Sequence, residues 1–106
     1  MAWFYLVLAG LFEVGFASTL KLTQGFTKLL PTLIFVACAV ASFLLLSRAV
    51  RDIPIGTAYA VWTGIGAAGT ALLGILLYQE PATALRLFFI LTLIGSIIGL
   101  KLATPT

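Results

Sequence analysis

The sequence predicts an all-α integral membrane protein with four transmembrane helices per subunit. Three observations carry that expectation. Of the 106 residues, 62% are hydrophobic and only 8% charged, against roughly 25% charged in a typical soluble domain. Four apolar runs approach or reach the length of about 20 residues that a helix needs to cross a bilayer. The links between them are short and nothing is left over for a soluble domain, so residues 1–106 read as a single transmembrane domain.

The first run covers residues 2–20 and is broken only by Glu13. It does not read as a signal peptide: no basic stretch precedes it, and its apolar core is too long and carries an acid. The second run covers residues 29–47, with Pro31 in its first turn, where a missing N–H costs little. The third covers residues 57–78, and the fourth residues 85–103, with Arg86 and Lys101 near its ends. Long basic side chains at such places can snorkel to the headgroups. The links KLTQGFTK, RAVRDIPIG and QEPATA carry Gly or Pro punctuation. Being short, they force neighbouring spans to run antiparallel.

Composition narrows the chemistry. There is no His, and Cys38 is the only cysteine. No histidine metal site, intramolecular disulfide or zinc cluster can be built from these. Cys38 lies in an apolar run and reads as a small buried hydrophobe. There is no glycine-rich phosphate loop, and two of the three acids sit in links. No enzyme, cofactor or metal is therefore expected. The six bases are spread singly, which is no nucleic-acid patch and reads instead as a set of interfacial anchors.

The charge balance raises a question of orientation. The chain start, middle link and chain end share one side and hold Arg48, Arg51 and Lys101. The first and third links hold Lys21, Lys28 and Arg86. With the two sides equal, the positive-inside rule gives no preference. Either a boundary residue or the amino terminus tips the balance, or the chain inserts both ways. The second reading is the expectation, because the rule weights these short loops most heavily. Many secondary transporters consist of two inverted repeats with a binding site at their interface. Four helices are too few for both repeats, but two oppositely inserted copies would supply them. The expected assembly is thus an antiparallel, dual-topology homodimer. Gly95 and Gly99 form a GxxxG in the fourth span that lets backbones approach closely. The same spacing also suits ordinary packing within one chain.

Glu13 is the candidate site. An ionisable group at mid-membrane is costly and should face the bundle or a wet cavity. Helical spacing puts Ala9, Gly10 and Ala17 on its face, leaving room beside the carboxylate. A structural ion pair or a protonated, hydrogen-bonding acid is the bland alternative, and no basic residue lies inside the first span to make the pair. A carboxylate that holds either a proton or a cation couples the movements of the two. In the third span, Tyr59 and Trp62 are three apart and share a face. Tyr59 could hold a carboxylate through its hydroxyl, or simply belong to the interfacial aromatic belt. Trp62 offers an indole N–H or a cation–π face, or plain packing. Ser42 is the one hydroxyl deep in the second span, and could bond only its own backbone. Thr63, Gly64 and Gly66 follow Trp62. Thr63 is grouped with the pocket. The glycines permit a bend, as a gate needs, or close packing without motion.

These residues resemble a known family. AGLFEV (Ala9 to Val14), GFTKLLP (Gly25 to Pro31), IPIGTAYAVWTGIG (Ile53 to Gly66) and GLK (Gly99 to Lys101) are similar to the small multidrug resistance family, specifically its guanidinium-exporter branch. The resemblance runs essentially end to end. It implies antiparallel, dual-topology homodimers in the bacterial inner membrane that export guanidinium compounds in exchange for protons. It implies that Glu13 is the essential acid, that Ser42, Tyr59 and Trp62 are its hydrogen-bonding and aromatic partners, and that Gly64 and Gly66 bend. The fourth span, with Gly95 and Gly99, would be the dimer helix. One position departs: the branch usually has Trp three residues after the acid, and here it is Phe16. Phe16 keeps an aromatic wall but lacks the indole N–H. The expected partners are a second copy, a small organic cation, protons and the bilayer, with no nucleic acid. The competing readings are export of quaternary ammonium or other hydrophobic cations by the same mechanism, a passive channel, and a membrane assembly subunit without transport.

Overall fold

The computed structural model describes residues 1–104. Four helices account for most of them: α1 (Ala2–Leu20), α2 (Leu29–Ala49), α3 (Ile55–Leu77) and α4 (Ala84–Ala103). Each is long and apolar enough to cross a membrane, with mean hydropathies between 1.5 and 2.6. Two helices start earlier than apolarity alone suggests, and capping explains both. Pro54 sits at the N-cap of α3, and its carbonyl accepts the Ala58 N–H at 2.9 Å. The Thr83 side chain caps α4 by accepting the Arg86 N–H at 3.2 Å, the usual role of a hydroxyl at that place.

The helices lie side by side in the order α2, α1, α3, α4. The backbone of α1 packs against α2 and α3, while that of α4 meets only α3. The molecule measures 43 × 35 × 17 Å. A helix with its side chains is about 10–12 Å across, so the 17 Å dimension is less than two helices deep. Such a layer cannot enclose a core on all sides. Large apolar side chains such as Phe4, Leu11, Phe43, Leu44 and Phe88 accordingly point outward, which a hydrocarbon surround tolerates and water does not. The buried cluster of Leu6, Ala9, Ala49, Ile53, Ala58, Val61 and Trp62 gathers where α1 begins, α2 ends and α3 begins.

Small residues set how near the helices come. A Cβ on Gly10 would stand 2.7 Å from Ile65 Cβ of α3, and one on Gly64 would stand 2.9 Å from Ile97 Cδ1 of α4. Neither glycine interrupts its helix: α3 is continuous through Gly64 and Gly66. Without lipid-excluded apolar area to gain, membrane helices associate through such close contacts.

The links are ordered by local bonds. Thr23 is fully buried; its hydroxyl donates to Leu20 O at 2.7 Å, and its carbonyl accepts the N–H groups of Thr27 and Lys28 at 2.9 and 3.1 Å. The chain then passes through Gln24, Gly25 and Phe26 with φ of 47°, 72° and 66°, a left-handed run for which Gly25 carries no Cβ penalty. Bases at the helix ends stack on aromatic rings: Arg48 on Tyr5 at 5.3 Å, Lys101 on Trp3 at 5.4 Å, and Lys21 on Tyr78 at 4.9 Å. These pairs join the interfacial aromatic and basic anchors in single contacts.

Candidate functional site: a groove over α3

Glu13 projects from α1 toward α3, and the helices leave a groove of about 530 Å³ beside it. Glu13 and Ala17 line it from α1, Thr63, Gly66 and Thr70 from α3, and Glu80 from the link that follows. The carboxylate fits because Gly66 has no side chain: a Cβ there would overlap it. Glu13 Oε1 is buried with no hydrogen-bond partner among the described residues, and the same holds for Thr70 Oγ1. An orphaned buried acceptor normally costs about 1–3 kcal/mol. Such an atom is chemically able to accept a donor that the described residues do not supply.

A buried relay fixes the turn of α1 that precedes the acid. Trp62 Nε1 donates to Ser42 Oγ at 2.9 Å, and Ser42 Oγ donates to Ala9 O at 2.7 Å. Ser42 thus reaches across to α1 and not to its own helix. Ala9 is one turn before Glu13, so its carbonyl also faces the Glu13 N–H of the regular helix. Side chains from α2 and α3 thereby hold α1 in rotation, and the direction of Glu13 with it.

Aromatic rings continue from the relay. Tyr59 and Trp62 have centroids 5.7 Å apart, Trp62 and Phe43 5.4 Å, Phe43 and Phe16 6.3 Å, and Phe16 and Phe35 5.5 Å. Tyr59 is 58% exposed, so its ring has a free side. The Thr63 hydroxyl donates to Tyr59 O at 2.7 Å and is engaged with its own helix.

The structure therefore brings Glu13, Thr63 and Gly66 together in the groove, and Ser42, Tyr59, Trp62 and Phe16 together in the relay and the aromatic run. Gly10 lies against Ile65 and Gly64 against Ile97, both as helix contacts outside the groove lining. Among the described residues, nothing beyond α4's own backbone lies within 4 Å of a Cβ built on Gly95 or Gly99, so both leave open space on α4. The sequence reading does not single out Thr70, Gly74 or Glu80. The available signal was the four-residue spacing of Gly66, Thr70 and Gly74, which puts them on one ridge of α3. Among the described residues no group of three His, Cys, Asp or Glu side chains is placed to hold a metal. The Glu13 carboxylate, with an acceptor left open among the described residues and small side chains around it, is chemically suited to holding a proton or an organic cation.

The sequence profile described as Small Multidrug Resistance protein matches residues 1–94. The chain is 52% identical over 104 residues to the guanidinium exporter of Citrobacter freundii, covering 98% of this chain and 99% of that one. It is 51% identical to the guanidinium exporter of Yersinia pseudotuberculosis serotype I (strain IP32953), covering 98% and 100%. It is 50% identical to the guanidinium exporter of Escherichia coli (strain K12), covering 98% and 99%.

Proposed function

The chain belongs to the small multidrug resistance family, and on that premise we propose that it exports guanidinium or small substituted guanidinium cations in exchange for protons at Glu13. It is a multi-pass protein of the bacterial inner membrane. The observation that carries the proposal is the buried Glu13 Oε1, without a partner among the described residues, in an open groove. Guanidinium is planar, and two of its N–H groups meet one carboxylate side by side. A carboxylate occupied by the cation cannot hold the proton, and the reverse, so each passage of one drives passage of the other.

The working unit is an antiparallel, dual-topology homodimer. A layer 17 Å thick with its groove on one face offers one wall of a site. A second, inverted copy supplies the other wall and a second Glu13, as an inverted repeat does in larger transporters. The open α4 positions at Gly95 and Gly99 suit the contact between copies. Gly64 and Gly66 are the positions where α3 bends as the groove changes the side to which it opens. Two carboxylates facing one cavity titrate as a pair, which couples their protons.

Solid-supported-membrane electrophysiology with a cation panel tests this. Guanidinium is expected to give larger currents than tetraalkylammonium ions, and Glu13→Gln to abolish proton-coupled uptake in proteoliposomes. Undiminished coupling in Glu13→Gln would remove Glu13 from the mechanism. A flux that builds no gradient against a proton gradient would make the protein a channel. One observation favours a second reading, export of quaternary ammonium by the same cycle: the run of ring faces through Phe16, Phe43 and Trp62 suits cations without N–H donors. Larger tetraalkylammonium currents would establish it.

A further inference from the structure

The groove has a second acid, and it is built in the same way as the first. Gly66, Thr70 and Gly74 follow one another at four-residue intervals along α3. The Glu13 carboxylate lies over Gly66, and the Glu80 carboxylate lies over Gly74, where a Cβ would stand 2.8 Å from Glu80 Cδ. The Glu80 N–H donates to Gly74 O at 3.1 Å, so backbone and side chain are both seated on that glycine. Eight residues of helix rise about 12 Å, and Thr70, midway between the two glycines, lines the same groove with its hydroxyl buried and without a partner among the described residues. Glu80 carries a cation: the Arg86 guanidinium is bonded to Glu80 Oε1. The two side chains are 43% and 33% exposed, so the pair lies open enough to exchange partners with solution. Its guanidinium is the same chemical group as the proposed cargo.

We propose that Glu80 is a second cation station at the mouth of the groove, occupied at rest by Arg86, whose guanidinium an incoming guanidinium-type cation displaces before reaching Glu13. Arg86 is then a built-in competitor and Glu80 a specificity-determining residue. The inference rests on the reading of the protein as a guanidinium exporter. A cation with N–H donors competes for the carboxylate in the geometry Arg86 already uses. A tetraalkylammonium ion cannot, so the station favours the former.

The test is the KM for guanidinium and for tetramethylammonium, read by solid-supported-membrane currents on proteoliposomes of the full chain. Wild type and Glu13→Gln are measured first: guanidinium current in the wild type that Glu13→Gln removes upholds the exporter reading, and its absence overturns that reading and this proposal with it. With guanidinium current present, Glu80→Gln is expected to raise the guanidinium KM about three- to tenfold with little change in maximal current, and Arg86→Gln to lower it. Gly74→Ala, which displaces the carboxylate while keeping it, should follow Glu80→Gln in direction, and Glu80→Asp should lie between wild type and Glu80→Gln. Opposite shifts for the two halves of one ion pair are the signature of competition. A merely structural pair gives the same shift in both, or a loss of maximal current with KM unchanged, and either result overturns the station while leaving the exporter reading standing. Equal KM shifts for guanidinium and tetramethylammonium also overturn it.

Discussion

The Glu13 carboxylate occupies the space that a side chain at Gly66 would fill. This relationship joins two helices that sequence distance keeps 53 positions apart. It means that the glycine serves the acid directly, by leaving the room in which the acid lies. Gly10 faces a different problem, since its absent Cβ makes way for the branched Ile65 side chain at its root.

The contrast predicts two alanine variants with different failures. In Gly66→Ala the clash falls on the far end of a flexible side chain, which swings aside at small cost. Thermal unfolding in detergent should shift little, while guanidinium current falls at least about tenfold, a loss of roughly 1.4 kcal/mol in transition-state stabilisation. In Gly10→Ala the added carbon meets Ile65 Cβ and Cγ2 at 2.7 Å; Cβ is fixed by the backbone, and a helical Ile strongly prefers one χ1 rotamer. Overpacking of that kind costs about 1–3 kcal/mol, so the unfolding midpoint should fall. If Gly66→Ala transports normally, the carboxylate does not work from where it lies.

The Trp62–Ser42–Ala9 relay predicts an asymmetry. Ser42→Ala strands the buried Trp62 N–H and leaves Ala9 O with its helical partner alone, at a cost of about 1–3 kcal/mol for the unsatisfied donor. Trp62→Phe removes that donor and leaves Ser42 bonded to Ala9. After allowance for the smaller ring, measured by Trp62→Phe in the Ser42→Ala background, the double variant should be less destabilised than the sum of the singles, a coupling on the order of 1 kcal/mol. Additive effects would show that the relay does not hold the three helices together.

Tyr78 closes the opposite end of the α1–α3 contact. Its hydroxyl donates to Ser18 O at 2.8 Å across 60 residues, and Lys21 lies over its ring. Tyr78→Phe keeps the ring and loses the bond. The expected loss is about 0.5–1.5 kcal/mol of stability, read as a lower unfolding midpoint with the Lys21 contact intact. No change would mean that the Ser18 carbonyl finds another donor at once.

What was legible in the sequence, and what was not, follows from how each feature is encoded. The four spans are runs of apolar residues, and run length alone announces them. Glu13 is visible because it is the one charge inside the first of those runs. The starts of α3 and α4 depend on the caps at Pro54 and Thr83, single residues whose effect lies outside the apolar pattern. The partners of Ser42 and the seat of Glu13 on Gly66 depend on how α1, α2 and α3 are rotated and shifted against one another. Helical spacing within one segment says nothing of that register. Glu80 reads in the sequence as a link residue, and only the packing of α1 on α3 brings it into the lining of a groove with Glu13.

Phe16 is where this chain leaves the pattern of the family branch that it resembles, and its surroundings say what a change there should do. Its ring stacks on Phe43 and meets Phe35 edge-on, so it is held by contacts that any flat ring can make. It is only partly buried, which leaves room for a larger one. Phe16→Trp adds an indole N–H three residues from Glu13, on the same face of α1. A donor there can orient the carboxylate for side-by-side bonding, which guanidinium uses and tetraalkylammonium does not. A net hydrogen bond of about 0.5–1.5 kcal/mol corresponds to a rise of roughly two- to tenfold in the ratio of guanidinium to tetramethylammonium current. The ratio is measured on the same proteoliposome preparation, so protein loading cancels. If Phe16→Trp raises both currents equally, the aromatic wall tunes transport speed and not the choice of cation.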